Sequence, residues 1–95
     1  MNKAIEIAKW IILENSRRKL EIKKKYPFDD YVIYEDMTHF KIQNLLFFIQ
    51  GLSLYEYNQR VFSEDIEIYG NKVIVKKVFN KFKIYGQNEI KIEMN

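Results

Sequence analysis

The stretch Lys41–Leu54, KIQNLLFFIQGLSL, decides how this chain folds. Ile42, Leu45, Leu46 and Ile49 recur at steps of three and four residues, the spacing that gathers side chains on one face of an α-helix. Phe40, Phe47 and Phe48 spread around that stripe, which predicts a helix that is apolar on most sides and central to the core. Thr38 precedes it as the N-cap. The amides of Gln43 and Gln50 flank the apolar run, and Gly51 follows it.

The segments on either side supply what this helix packs against. From Lys3 to about Leu20, Ala4, Ile5, Ala8, Ile11 and Ile12 repeat at helical steps, with Trp10 and Leu13 widening the apolar face. Asn2 is the expected N-cap, and Arg17–Lys19 fall in the late turns, where positive charge suits the helix dipole. Pro27 then forces Tyr26 out of helical geometry, Asp29–Asp30 favours a turn, and the following YVIY suggests a short extended piece. After Val61 the period changes to two. Ile66 and Ile68 alternate with Asp65 and Glu67, placing the acids on the exposed strand face, and Gly70-Asn71 before VIV predicts a β-hairpin. Val75, Val78, Phe79 and Phe82 return to helical spacing up to Gly86, a natural helix stop. The final NEIKIEM alternates again and suggests one more short strand. The predicted architecture is a single α+β domain over residues 1–95, mainly helical, with about three helices around a small hairpin.

Composition narrows the chemistry. Of 95 residues 16% are aromatic and none is cysteine, which points to a packed core and excludes disulfides, thiolate metal sites and a cysteine nucleophile. His39 is the lone histidine, so a two-histidine metal motif or a histidine-based dyad has no second member. Its place at a helix start predicts a surface residue. Ser16, Ser53 and Ser63 lie in no nucleophile elbow, and no glycine-rich phosphate loop is present. Glu64, Asp65 and Glu67 form an acidic cluster that reads as a solvated strand or a carboxylate metal site. No catalytic residue, metal ligand or cofactor site is expected. No apolar run reaches the length of about 20 residues that spans a bilayer, and the first residues make a poor signal peptide, so a cytoplasmic protein is expected.

The net charge is +3, with basic residues gathered in RRKLEIKKK (Arg17–Lys25) and in the set Lys72, Lys76, Lys77, Lys81 and Lys83. Such clusters are either solvated faces or phosphate-binding surfaces. In the second case Phe79, Phe82 and Tyr85 would offer stacking rings for RNA.

Four segments together resemble the Panacea domain, the family of SocA-like antitoxins and phage-associated GepA proteins. MTHFKIQNLLFFIQGLSL is similar to the family's signature helix through Ile42, Gln43, Leu45, Leu46, Phe47, Phe48, Gln50, Gly51 and Leu54. AIEIAKWIILEN resembles its opening helix. VFSEDIEIY matches its L-F-x-E-x-I-E-A-W through Val61, Phe62, Glu64, Ile66, Glu67, Ile68 and Tyr69. VKKVFNKFKIYG is similar to V-P-x-V-Y-x-x-F-x-x-Y-G through Val75, Val78, Phe79, Phe82, Tyr85 and Gly86. Asn44 stands where the family has lysine, Tyr69 where it has tryptophan, and Lys72-Val73-Ile74 where it has Gly-Pro-Val. The link through Tyr26–Tyr34 is longer than usual and the chain ends soon after the third helix, as in a shortened, diverged member.

The resemblance implies a stoichiometric protein binder without chemistry. Family members neutralise toxins by direct binding, in one case by delivering the toxin to a protease, and phage proteins resembling the domain inhibit CRISPR systems. The expected partner is therefore a toxin or a host defence effector, with no membrane contact, and the chain is a monomer or homodimer. Exposed aromatics beside basic residues are the expected contacts, namely Tyr55, Tyr57, Tyr69, Lys76, Lys77 and Lys83, together with the Tyr26–Tyr34 segment.

Overall fold

The computed structural model describes residues 2–28 and 36–92. The turn and extended piece expected at Asp29–Tyr34 lie outside the described residues. Three α-helices, α1 (Ala4–Lys25), α2 (His39–Tyr57) and α3 (Lys76–Phe82), pack pairwise around one core. A two-stranded antiparallel hairpin, β1 (Glu67–Tyr69) and β2 (Lys72–Ile74), joins α2 to α3, and a short 3-10 turn, Lys83–Tyr85, follows.

The core is built from helical stripes whose spacing is visible in the sequence. Ala4, Ala8, Ile11 and Ile12 come from α1, Ile42 and Leu46 from α2, and Val78 and Phe82 from α3. The two alanines bring the neighbouring helices close to α1, and Phe62, Val75 and Ile90 fill the remaining space.

Hydrogen bonds from two α2 side chains fix the connecting segments. Gln50 Oε1 accepts from the backbone N–H of Val61 at 2.8 Å and of Phe62 at 3.3 Å, while Gln50 Nε2 donates to the Phe62 carbonyl at 2.9 Å. Two turns earlier, Gln43 Oε1 accepts from the Val75 N–H at 2.8 Å. Both amides are buried. These groups lie at or beyond the strand ends, where no ladder serves them, so a side chain must.

Several expectations about element ends need correction. Asn2 does not cap α1. Its N–H donates to the Val61 carbonyl and it forms a parallel bridge with Phe62. Lys3 holds the cap position, and the free Ala4 N–H donates to Glu64 Oε2 at 2.9 Å, so the capping carboxylate comes from 60 residues downstream. Helix α1 also runs past Leu20 to Lys25, placing Arg17–Lys19 in its middle. Strong helix formers and the pairs Glu14–Arg17, Arg17–Glu21 and Glu14–Arg18 support its outer half, which places no side chain in the buried core.

Thr38 does cap α2, accepting from the Lys41 N–H at 3.4 Å. The hairpin forms as expected, with Gly70 at φ +63° in the first position of a two-residue turn. Of the expected alternation, Ile66 packs on the core and Asp65 is exposed, but within β1 the faces are exchanged. Ile68 is 70% exposed and Glu67 is half-buried. Lys72 and Ile74 reach α2 and α3, and the register turns their cross-strand partners Tyr69 and Glu67 to the same side. The C-terminal strand is absent among the described residues. Ile90 is buried there and donates a single N–H bond to the Met37 carbonyl.

Replacing Gln50 by leucine leaves two N–H groups and one carbonyl without partners in the core. The expected cost is about 2–4 kcal/mol in chemical denaturation, and a loss below about 0.5 kcal/mol would contradict the role given to this amide.

Candidate interaction surface

Helix α2 is not apolar on most sides in the sense of being enclosed. Its inner face carries His39, Ile42, Gln43, Leu46 and Gln50 into the core. The expected core residues Leu45, Phe47 and Phe48 are substantially exposed, with Phe48 at 63%, and Leu54 is exposed beside them. Among the described residues, the other two helices and the hairpin cover only one side of α2, and the opposite side is exposed.

That outer side has a definite relief. Phe40, Phe47 and Leu54 form one row and Phe48 and Tyr55 the other, each at helical repeats. Asn44 and Gly51 lie between the rows. A Cβ at Gly51 would meet nothing within 4 Å and its φ is helical, so neither packing nor backbone strain within the chain requires glycine. The face runs about 22 Å from Phe40 to Tyr55 at 1.5 Å per residue. Lys41 and Glu56 are the only formal charges among the 19 residues of the helix, if buried His39 is neutral.

The two flanks are mixed in character. On one side Leu45 borders a groove of about 230 Å³ lined by Trp10, Ile11 and Met37 and by the polar Glu14, Asn15 and Arg18. On the other, Lys72 Nζ stands 5.0 Å over the Phe40 ring and leads to the hairpin.

The six residues expected at an interface are all exposed, but they do not form one patch. Tyr55 and Tyr57 lie near the C-terminus of α2, with Tyr55 at 87% exposure and on the outer face. Tyr69 and Lys76 come together at a groove of about 310 Å³ beside Phe79, and both bind Glu67: the Tyr69 hydroxyl donates to it at 2.7 Å and Lys76 pairs with it at 3.5 Å. The Glu67 carboxylate holds the Tyr69 phenol above its ordinary pKa. Lys77 and Lys83 belong to neither group. Phe40, Phe47 and Phe48, which spread around the periodic stripe, carry the outer face rather than the core. The near absence of charge along α2 was the signal for them.

His39 is the second correction. It is buried, 6% exposed, because its ring packs edge-on against Phe79 at 4.9 Å on the inner face of α2. Burial pushes its pKa below the usual 6.5. Its Nδ1 and the Nε2 of Gln43, one turn away, are buried without hydrogen-bond partners among the described residues.

The remaining expectations divide plainly. Phe82 is buried and Phe79 and Tyr85 are half-buried, so the three rings offer no open stacking platform. Arg17 and Lys19 of the first basic cluster are engaged, Arg17 with Glu14 and Glu21, and Lys19 with Asp36 at 2.7 Å and Glu89 at 2.9 Å. Glu64, Asp65 and Glu67 do not converge. Glu64 caps α1, Asp65 meets Arg60 and Glu67 meets Lys76. Among the described residues, no group of three or more acidic or histidine side chains could hold a metal ion, and no helix is long and apolar enough to cross a membrane. Gly86, at φ +56°, closes the 3-10 turn, as its sequence position suggested.

Burial of a neutral histidine has a signed consequence. The unfolded chain takes up a proton near pH 6.5 and the folded chain resists it, so stability falls as pH drops below about 6.5. His39→Phe keeps the ring contact and removes the unpartnered nitrogen. Thermal midpoints measured at pH 7.5 and 5.5 should show a smaller acid loss for the variant; an equal loss would remove His39 as its source.

No protein-family model, curated protein or solved structure was found to match this chain.

Proposed function

We propose that this chain is a non-enzymatic inhibitor of the Panacea type, which silences one partner protein by binding it through the outer face of α2. The observation that carries the reading is the exposed double row of aromatic and aliphatic side chains around Gly51. A face of this size and apolarity is costly in water and marks a protein contact. Gly51 adds weight, because glycine inside a helix costs about 1 kcal/mol relative to alanine and no neighbour in the chain uses the space it leaves. A partner that approaches the helix closely would use it.

The residues that carry the family resemblance are joined to one another in the fold. The two signature glutamines hold the segments that carry the next two motifs, Gln50 at Val61-Phe62 and Gln43 at Val75. Glu64 of the third motif caps the opening helix. Residues spread over four stretches thus depend on one another physically.

A non-enzymatic role fits the side-chain inventory. The sole histidine is packed in the core, and the chain has no cysteine. On the habit of the family the partner is a toxin. The second reading, a mobile-element inhibitor of a CRISPR effector, is favoured by one specific residue. Asn44 lies at the centre of the outer face where the family carries lysine, so the face presents different chemistry to its target.

Affinity capture from the native host, followed by identification of the bound protein, tests the proposal. Phe48→Ser with Tyr55→Ser should abolish capture at an unchanged thermal midpoint, since neither ring is in the core. Gly51→Ala should weaken capture while stabilising the fold by about 0.5–1 kcal/mol. Recovery of no stoichiometric partner by the unaltered chain would overturn the reading. A partner that arrests growth when expressed alone identifies an antitoxin; a defence nuclease identifies the second reading.

A further inference from the structure

A second surface, remote from the proposed target face in chemistry, lies between α1, the 3-10 turn and the C-terminal segment. One groove of about 370 Å³ is rimmed by Lys9, Lys81 and Lys91, which come from three separate elements, and carries no carboxylate in its lining. None of the three lysines has an ion-pair partner among the described residues. The adjoining groove, of about 340 Å³, shares Lys91 and Ile92 with the first and adds Leu20 and the ion pair Lys19–Glu89. Lys9 and Lys23, at the two ends, are two heptads apart on α1, so the joined trough is about 21 Å long at 1.5 Å per residue.

Both parts of the trough are basic and both carry apolar surface. Its first part combines Lys9, Lys81 and Lys91 with Ile84, which is 85% exposed. Its second part sets Lys19, Lys23 and Lys91 beside Leu20 and Ile92, and its one acid, Glu89, is engaged by Lys19. The outer wall is fixed before any ligand arrives. The Tyr85 hydroxyl donates to the Lys91 carbonyl at 2.9 Å, and the buried Ile90 ties the segment to Met37.

We infer that this trough binds an extended acidic peptide segment, whose carboxylates meet Lys9, Lys81 and Lys91 and whose aliphatic side chains cover Leu20 and Ile92. About six residues at 3.3 Å each fill its length. Charge complementarity selects the acidic part and steers its approach, and burial on the aliphatic floor holds the rest. A nucleic-acid strand fits less well. Its bases would find no open ring, Phe82 being buried and Tyr85 tied by its hydroxyl.

The test is fluorescence anisotropy with a labelled peptide of consecutive glutamates followed by leucine and isoleucine, compared with an oligouridylate of matching length. The peptide should bind, and Lys81→Glu with Lys91→Glu should weaken it by roughly tenfold or more. Leu20→Ser should weaken it as well, whereas the Phe48→Ser, Tyr55→Ser variant should bind it unchanged. That last comparison keeps the trough separate from the α2 face: either can fail without the other. No peptide binding, an affinity indifferent to the lysine changes, or tighter binding of the oligouridylate would each overturn the assignment.

Discussion

The buried carboxamide of Gln50 is the constraint on which the rest of the structure depends. It saturates both N–H groups and the carbonyl around the Val61–Phe62 peptide, in a segment that belongs to no strand ladder. An apolar residue there would leave three backbone groups without partners, at a combined cost of about 2–4 kcal/mol. Gln43 does the same for Val75, at the step from hairpin to α3. The register of these two amides on α2, seven residues apart, therefore sets where the hairpin leaves and where it returns.

The consequences spread outward from those bonds. With Val61 and Phe62 held, Phe62 enters the core and Asn2 pairs alongside it, which brings the first turn of α1 to Glu64. With Val75 held, Val78 and Phe82 face the same core. The inner side of α2 is then fully used, and its outer side, rich in aromatic and aliphatic residues, is covered by no element among the described residues. The proposed binding face is thus the other side of the helix that organises the fold.

Much of this arrangement was legible from residue spacing. The three helices, the Thr38 cap and the Gly70-Asn71 turn followed from local chemistry, since each rests on neighbours in sequence. Nonlocal features were not legible in the same way. Nothing near Ala4 announces that its N–H is served by Glu64, and periodicity cannot tell which side of a uniformly apolar helix is covered. Phe47 and Phe48 read as core for that reason. His39 misled in the opposite sense, because a polar residue at a helix start suggests solvent, whereas its position on the inner stripe of α2 carries it beside Phe79. The hairpin faces were exchanged because pairing alternates correctly in either orientation, and only contact with Phe40 and α3 chooses between them. The interface residues were half legible: Tyr55 lies on the outer face, while Tyr69 and Lys76 gather around Glu67 elsewhere.

The most direct measurement on this molecule is native-state hydrogen exchange at the backbone amides of Val61, Phe62 and Val75. All three lie outside or at the end of regular ladders, where exchange is ordinarily fast. If Gln50 and Gln43 hold the fold together, these amides exchange only on global opening, as slowly as the core amides of α2. Exchange as fast as that of an exposed turn, while α2 stays protected, would contradict the placement of these two amides at the centre of the structure.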